Sequence, residues 1–387
     1  MKDLHYVESI FQQLHKHPEL SLQEEWTAKF IATELSKLGF TVATGIGGKG
    51  VVGVLEGAHK GPILALRSDM DALPVQEETG VEYASSNPGV MHACGHDSHM
   101  AITLGACAYA AEHRAKLTGT LMVIFQPAEE VVVGALAMLE DDLFNYYRPD
   151  RLVGIHNWPK IPAGTLGLQK GPITAFSDRF KVVFKGQGGH GAFPHTTIDP
   201  IAMATHAIQS SFSLARRRTD VLFPQVLSFG IIQGGTSFNV IPETVVVEGT
   251  VRTLRAEDQD LMINLLHQAF SSSSSLYGGF YELEYQKGVP AVVNDPEVAE
   301  ELWGFFQDQL PDTPVYTEGL ASLIGEDVAY FLQEVPGVLL YIGSGQEGAV
   351  NELHNPRFLV PTQALFTGCE ALNSIIAGYL GQSEEVK

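Results

Sequence analysis

The chain has 387 residues, of which 45% are hydrophobic and 18% charged, a composition that predicts a globular protein with two domains. Its formal net charge of -21 argues against nucleic acid as the main partner, because phosphates are bound by basic patches. The basic cluster Arg216-Arg217-Arg218 is interpreted as the exposed end of a helix. No apolar run is long enough to cross a membrane. Three sparse cysteines and an amino terminus without signal-peptide features indicate a cytoplasmic protein.

The first part of the chain alternates between helical and strand patterns. Apolar periodicity predicts two helices within residues 5–38, with a break at His17-Pro18-Glu19. Short apolar runs then predict strands, and longer periodic segments predict helices. The strands are 51–55, 63–67, 121–125 and 152–155, and the helices are 100–113 and 135–143. This alternation predicts an α/β fold, a sheet covered by helices, with functional groups at the strand ends.

From about residue 175 the pattern changes to the order β-α-β-β-α-β, which is typical of a ferredoxin-like α+β unit. The predicted elements are strand 180–184, helix 200–216, strands 226–230 and 244–252, helix 257–271 and strand 281–285. The serine run 271–275 is expected to be the frayed end of the second helix. Strand 338–342 and helix 363–379 then return to the first pattern. We therefore expect a discontinuous catalytic domain, residues 1–174 and 288–387, with a smaller domain inserted at 175–287.

Residues 91–99 concentrate groups that bind metals, three histidines with a cysteine and an aspartate. Cys94 and His96 are two apart, so both can reach one ion from a turn or loop. A thiolate with an imidazole suits zinc, and also manganese, nickel or cobalt in mixed sites. The alternative is a histidine-rich surface loop with one buried cysteine.

Paired carboxylates follow two of the predicted strands. Asp69 and Asp71 can supply a metal ligand and a carboxylate that orients one, although an Asx turn before Pro74 is the alternative. Glu129 and Glu130 are adjacent, so one can bind metal while the other takes the proton of a metal-activated water. A solvated acidic helix start is the alternative for this second pair.

Two further histidines complete the pattern. His156 lies at another predicted strand end, and His354 lies in a Glu-Leu-His-Asn-Pro segment near the carboxyl terminus. A lone histidine is more often structural than a ligand. Because ligand-type residues recur at several strand ends, we expect them to converge at one edge of the sheet.

These motifs together resemble those of the M20 metallopeptidase family, subfamily D. That group contains amidohydrolases such as N-acyl-amino-acid deacylases, hippurate hydrolases, N-acetyldiaminopimelate deacetylases and auxin-conjugate hydrolases. The similarity covers nearly the whole chain, through residues 17–19, 67–74, 91–99, 125–130, 188–195, 239–242, 249–252, 325–327 and 354–356.

The resemblance implies a centre of two divalent metal ions, of zinc, manganese, nickel or cobalt. The implied ligands are Cys94, which is shared or bridging, and His96, Glu130, His156 and His354. Glu129 is the implied general base. Asp69 is the implied carboxylate that orients His96, and Asp71 is a close competitor for this role.

The inserted domain resembles the family's lid or dimerisation domain, which implies a homodimer. His190, in a glycine-rich turn, would polarise the scissile carbonyl or stabilise the oxyanion, from the partner subunit in one arrangement. A histidine in a flexible turn is the alternative. Asn239 and Arg252 would hold the α-carboxylate of the substrate, unless Arg252 pairs with a carboxylate such as Glu248.

The sequence departs from the family pattern at three places. Val131-Val132-Val133 stands where a glycine-rich turn is usual, Val328 replaces a phenylalanine, and the segment after His354 lacks an acidic pair. None of these changes removes an implied ligand. The valines beside Glu130 are expected to alter the pocket for the acyl group.

The function expected from the resemblance is that of a metal-dependent amidohydrolase. A metal-activated water would attack the amide of an N-acyl amino acid, such as an N-acetyl or benzoyl derivative, to give a carboxylate and a free amino acid. A dipeptidase or carboxypeptidase of the same family is the first alternative. An inactive binding protein, or a hydrolase with Cys94 as nucleophile, are the others.

Overall fold

The computed structural model describes residues 2–145, 147–350 and 352–381, and it confirms the expected α/β class. The helices are α1 (Lys2–Lys16), α2 (Glu25–Lys37), α3 (His96–His113), α4 (Gly134–Glu140), α5 (Pro200–Arg218), α6 (Ala256–Tyr277), α7 (Pro296–Gln309), α8 (Val328–Glu334) and α9 (Thr362–Leu380). The strands are β1 (Thr41–Ile46), β2 (Gly50–Glu56), β3 (His59–Asp69), β4 (Thr118–Gln126), β5 (Arg151–Pro162), β6 (Leu166–Gly167), β7 (Gly171–Pro172), β8 (Phe176–Lys185), β9 (Gly189–His190), β10 (Val226–Gly234), β11 (Val240–Ile241), β12 (Thr244–Thr253), β13 (Phe280–Val289), β14 (Val293–Asn294), β15 (Val315–Tyr316) and β16 (Gly337–Gly345). Among the described residues, no helix is both long and apolar enough to span a membrane.

The chain divides into two compact units. The first unit comprises Met1–Ile173, Val292–Ala321 and Asp327–Lys387, and the second comprises Thr174–Ala291 and Ser322–Glu326. Sequence patterns alone place an inserted domain at 175–287 and assign the short segment 322–326 to the catalytic part. That segment packs with the second unit instead, where the Ala175 amide donates a hydrogen bond to the Ile324 carbonyl.

The sheet of the first unit places several strand ends side by side. Its order is β1-β2-β4-β3-β5-β16-β6-β15, and β3 runs parallel to both β4 and β5. Asp69 pairs with Gln126, and Arg67 pairs with Gly154, so His156 lies level with Asp69. Residues that follow β3 and β4 therefore meet the end of β5 at one edge, where ligands bind in sheets of this kind.

Packing on both faces explains the continuous apolar strands of this sheet. Strands β2, β4 and β16 are buried along nearly their whole length, as expected for strands covered by helices on both sides. On one face α1, α3 and α9 contribute core residues such as Leu14, Met100 and Leu372, and on the other α4 and α8 contribute Met138 and Phe331. Helix α3 is buried almost all round, which holds its first turn firmly beneath the strand ends.

The second unit has an antiparallel sheet of order β10-β12-β8-β13, against which α5 and α6 pack. The prediction that the serine run frays is wrong, because α6 continues through it to Tyr277. Ser273 is buried and donates a hydrogen bond to the Met203 carbonyl of α5. The helix ends where Gly278 adopts a left-handed φ of 80°.

Candidate metal centre

Five ligand-type side chains of the first unit converge at the edge of the sheet. The donor atoms of Cys94, His96 and His156 lie within 4.8 Å of one another, and so do those of Cys94, Glu130 and His354. Cys94 Sγ is 3.6 Å from His156 Nε2, and His354 Nε2 is 3.5 Å from Glu130 Oε2. The two groups share Cys94, which is the arrangement that suits two ions with a thiolate between them.

The donor atoms of this cluster fit cations rather than a hydrogen-bonded core. In the part of the chain that the structure describes, His96 Nε2 and Glu130 Oε1 are buried and make no hydrogen bond. Burial raises the pKa of Glu130 to about 7, and burial followed by the charge of Glu130 raises the pKa of the Cys94 thiol. A divalent cation would reverse both effects, because it stabilises the thiolate and the carboxylate directly.

The backbone before α3 brings Cys94 and His96 together. Gly95 adopts a left-handed φ of 83° and caps the helix, so that His96 is its first residue. A Cβ at this position would lie 2.6 Å from Asn157 Nδ2, which only a glycine avoids. The Cys-Gly-His spacing thus results from a tight turn pressed against the end of β5.

Asp71, rather than Asp69, contacts the ring nitrogen of His96 that faces away from the cluster. His96 Nδ1 donates a 2.8 Å hydrogen bond to the Asp71 carbonyl and lies 3.3 Å from Asp71 Oδ1. Asp71 Oδ2 accepts hydrogen bonds from Ser21 Oγ at 2.6 Å and from the Glu130 amide at 3.0 Å. Burial opposes ionisation of Asp71, but these bonds outweigh it and lower its pKa. Asp71 therefore fixes the orientation of His96 and the position of Glu130 together.

Asp69 contacts a different histidine, His99, which the sequence motif contains but to which no role was given. His99 Nδ1 donates a 2.6 Å hydrogen bond to Asp69 Oδ1, and His99 Nε2 accepts one of 2.8 Å from the Asn157 amide. Burial lowers the pKa of His99 to about 4, so the ring is neutral and this tautomer is fixed. Asp69 Oδ2 is 3.8 Å from His96 Nε2, so its charge reaches the cluster without a direct bond.

A buried arginine lies behind Asp69, and sequence reasoning gave it no role. Arg67 donates hydrogen bonds to Asp69 Oδ2 at 2.9 Å, to Gln126 Oε1 at 2.8 Å and to Asp327 Oδ1 at 3.2 Å. Asp327 also accepts a hydrogen bond from the Ala135 amide at the start of α4. The signal for this network was a charged residue in an otherwise apolar strand, together with the Gly-Glu-Asp motif.

Asn157 joins the two segments that carry Cys94, His96 and His156. Its side-chain amide donates hydrogen bonds to the Gly95 carbonyl at 3.1 Å and to Ser98 Oγ. Its own carbonyl accepts a 2.8 Å hydrogen bond from His156 Nδ1, which leaves Nε2 directed toward Cys94.

Glu129 lies beside the ligand-type residues and is almost completely buried, with 7% of its surface exposed. Its Oε2 atom is 3.9 Å from His96 Nε2. The turn that carries it is held by Glu24, which accepts a 2.8 Å hydrogen bond from the Ala128 amide. Burial raises the pKa of Glu24 to about 7, so a second carboxyl group with perturbed ionisation supports this turn.

The substrate-type residues of the second unit fall into two places. His190 lies on β9 and is exposed, and β9 pairs with β11 so that the Gly191 amide donates to the Asn239 carbonyl. Arg252 lies near the other end of β12 and donates a 2.6 Å hydrogen bond to Thr250 Oγ1. Glu248, the alternative partner of Arg252, lies 3.9 Å from Lys181 Nζ instead.

A buried set of thiol, imidazole and carboxylate groups at the edge of an α/β sheet defines a metal-dependent hydrolase centre. The chain belongs to Peptidase family M20/M25/M40, whose family model matches residues 65–378. It is accordingly a hydrolase that acts on amide bonds.

Individual relatives extend over nearly the full chain. The N-acetyl-L-cysteine deacetylase of Bacillus subtilis is 36% identical over 379 residues, which cover 98% of this chain and 89% of that protein. Thermostable carboxypeptidase 1 of Saccharolobus solfataricus is 37% identical over 372 residues, covering 95% and 93%. The crystal structure of the Bacillus subtilis YXEP protein, described as a dinuclear metal-binding peptidase from the M20 family, matches with a TM-score of 0.86 at 33% identity, covering 98% and 99%.

Proposed function

We propose that this protein is a metal-dependent amidohydrolase that cleaves N-acyl amino acids into a carboxylate and a free amino acid. The observation that carries the proposal is the convergence of Cys94, His96, Glu130, His156 and His354 around donor atoms that lack hydrogen bonds, with Glu129 beside them. The similarity to an N-acetyl-L-cysteine deacetylase supports this substrate class. The three cysteines are all free thiols, which is typical of the cytoplasm and supports that location.

The residues proposed to hold two divalent ions are Cys94, shared between them, with His96, Glu130, His156 and His354. When bound, such ions polarise the scissile carbonyl and lower the pKa of water. Asp71 keeps His96 in the tautomer whose Nε2 lone pair is available. The ligand carboxylate Glu130 is positioned through its backbone amide by the same aspartate.

Glu129 is proposed to move the proton of the reaction. Its carboxylate accepts the proton of the water that attacks the carbonyl carbon, and then gives it to the leaving nitrogen as the C–N bond breaks. Its almost complete burial, with 7% of its surface exposed, limits bulk water at this carboxylate. The free amino acid and the carboxylic acid are the products.

His190, Asn239 and Arg252 are proposed to complete the site in a homodimer. The β8–β12 ladder pairs Lys185 with Thr244 at one end and Ser177 with Arg252 at the other. Because a strand rises ~3.3 Å per residue, Thr244 and Arg252 lie about 26 Å apart. His190 and Asn239 follow from the Thr244 end, so one chain cannot bring them and Arg252 onto the same small substrate. In a dimer, His190 and Asn239 of one subunit would act with Arg252 of the other, as oxyanion and carboxylate donors.

The experiment that tests the function measures hydrolysis of N-acetyl amino acids, hippurate, N-acetyldiaminopimelate and a dipeptide by chelator-treated protein. Each reaction is run with and without added zinc, manganese, nickel or cobalt, beside Glu129→Gln. We expect activity that returns with metal and is lost in the variant. Activity that survives chelation would contradict the metal mechanism and favour Cys94 as nucleophile. Metal binding without turnover of any substrate would favour a binding protein.

A dipeptidase or carboxypeptidase activity is the second candidate, because a carboxypeptidase is 37% identical to the chain. The same panel separates the two readings. Faster hydrolysis of the dipeptide than of every N-acyl amino acid would select the peptidase.

A further inference from the structure

We propose that two loops beside the metal centre form an apolar surface that selects acyl groups larger than acetyl. This surface, the acyl rim, consists of Leu22 in the loop 20–24 and of Val131, Val132 and Val133 in the turn 128–134. The inference rests on the proposed function, and it names the substrate class as N-acyl amino acids with a medium-length alkyl or an aromatic acyl group.

Both loops are fastened to the residues of the centre. Ser21 Oγ and the Glu130 amide donate to the same oxygen of Asp71, at 2.6 Å and 3.0 Å. Glu24 at the end of the first loop accepts a hydrogen bond from the Ala128 amide at the start of the second. Leu22 and the three valines therefore directly adjoin the residues that hold Glu129 and Glu130 in place.

The side chains of the acyl rim are exposed, although each is large and apolar. Leu22 is 57% exposed, and Val131, Val132 and Val133 are 48%, 39% and 42% exposed. Three consecutive exposed valines contribute little to a core. An apolar patch that borders polar functional groups is typical of a ligand-binding surface.

Backbone conformation shows that these side chains are held outward at a cost. In the described chain, five non-glycine residues have positive φ, and four belong to this region: Leu22, Ala128, Val132 and His354. The φ of Val132 is 55°, a conformation that a β-branched residue very rarely adopts and that glycine adopts freely. Strain of this kind concentrates at functional sites, and here it keeps a branched apolar side chain next to Glu129 and Glu130.

Charge decides which end of the substrate meets the acyl rim. Segments 20–24 and 128–136 contain no basic residue, and they carry Glu24, Glu129 and Glu130. An amino acid carboxylate would be repelled there. The uncharged acyl chain is the part of the substrate that gains from contact with Leu22 and the valines, since burial of its methylene groups is favourable.

The test compares kcat/KM for N-acetyl-, N-hexanoyl- and N-benzoyl-methionine with the metal-loaded protein. We expect the hexanoyl and benzoyl substrates to be preferred over acetyl by about tenfold or more. Val132→Gly and Val131→Ser should each reduce this preference about fivefold or more, mainly through KM for the larger substrates. Val132→Gly should do so without lowering Tm, because it also relieves the positive φ, whereas a merely structural valine would lower Tm when removed. Val293→Ser, at a residue of β14 with a 48% exposed side chain, is the matched control and should leave the preference unchanged.

Two results would overturn the acyl rim while the proposed function stands. One is a wild-type preference for acetyl over the larger groups, and the other is an unaltered preference in both valine variants. If neither valine variant folds, Leu22→Ser replaces them and is judged by the same ratio. Absence of turnover for all three substrates would instead overturn the proposed function and the acyl rim together.

Discussion

Glu129 and Glu130 are consecutive carboxylates whose surroundings differ. The amide of Glu130 is bonded to Asp71 and its side chain faces Cys94 and His354, whereas Glu129 approaches only His96 among the ligand-type residues, at 3.9 Å. Glu129→Gln should therefore lower kcat by a factor of about 100 or more, the usual contribution of a general base, and leave two ions per chain. Metal analysis beside single-turnover kinetics checks this. A variant that loses an ion would show that Glu129 is a ligand.

Asn157 offers a way to separate positioning of the ligands from stability of the fold. Asn157→Ala removes the hydrogen bonds to Gly95 and Ser98, so the segments that carry His96 and His156 lose their connection. We expect the affinity for metal, measured by competition with a chelator, to fall about 10- to 100-fold. Urea denaturation should also show a loss of about 1–3 kcal/mol from the unpaired Gly95 carbonyl.

Asn294→Ala is the matched control for this experiment. Asn294 is equally buried in the first unit, where it bonds to the Gln169 carbonyl and to both backbone groups of Leu339. Its loss should lower stability to a similar extent and leave metal affinity unchanged. Equal losses of affinity in the two variants would mean that Asn157 acts only through general stability.

The residues of the centre were predictable from the sequence to different degrees. Cys94, His96, Glu130 and His156 could be proposed together, because the ends of neighbouring parallel strands meet at one edge. The choice between Asp69 and Asp71 could not be made, since residues two apart leave a strand on the same side. What separates them is contact with His96 and His99 at the start of α3, and no local pattern encodes the position of that helix.

At the scale of elements, a buried charged network joins α1 to the first turn of α3. His15 Nδ1 donates to Asp97 Oδ2 at 2.6 Å, and His15 Nε2 donates to Glu77 Oε1 at 3.1 Å. Burial alone would lower the pKa of His15, but the two carboxylates outweigh it and raise the pKa to about 9. Burial would raise the pKa of Glu77, but hydrogen bonds from His15 and Thr79 lower it to about 2.

These shifts predict how stability depends on pH. The pKa of His15 is higher in the folded than in the unfolded chain, so its stabilisation is complete below pH 6.5 and is lost as pH rises to about 9. The loss amounts to about 3 kcal/mol for a shift of this size. The pKa of Glu77 is lower when folded, so its contribution is present above pH 4.5 and is lost as pH falls toward 2.

Urea denaturation at several pH values between 6 and 10 tests the network. His15→Gln should lower stability by about 3 kcal/mol or more near pH 6.5, because it leaves two buried carboxylates without a cation. It should also abolish most of the decline toward pH 9. His5→Gln, at a side chain that is 93% exposed, should leave the profile of the wild type intact. An equal decline in both variants would assign the pH dependence to other groups.

Element boundaries show what periodicity could and could not predict. Strands β2 to β5 and β16 were found where apolar runs indicated them, since each run is bounded by turns and buried on both faces. Helix α6 extends past its predicted end because the serine run packs against α5, where small side chains allow close approach. Tertiary contact overrides a weak helix propensity there, and sequence periodicity does not register such contacts.

At the scale of the whole molecule, the separation of His190 from Arg252 makes a prediction about subunits. If His190 acts in the site of the partner, Glu129→Gln and His190→Ala each inactivate a homodimer by damaging different sides of the same site. A mixed dimer of the two variants contains one site with both residues intact. Random exchange makes half of the dimers mixed, so a mixture should recover about a quarter of wild-type activity per site.

The experiment mixes the two inactive variants under conditions that allow subunit exchange, and follows activity against time. A rise toward about a quarter of the wild-type value would place His190 in trans, since exchange of identical variants cannot regenerate an intact site. A mixture of Glu129→Gln with His96→Ala is the control, because both changes lie in the first unit and every mixed site retains one of them. Recovery in this control alone, or in neither mixture, would contradict a shared site and leave His190 to act within its own chain.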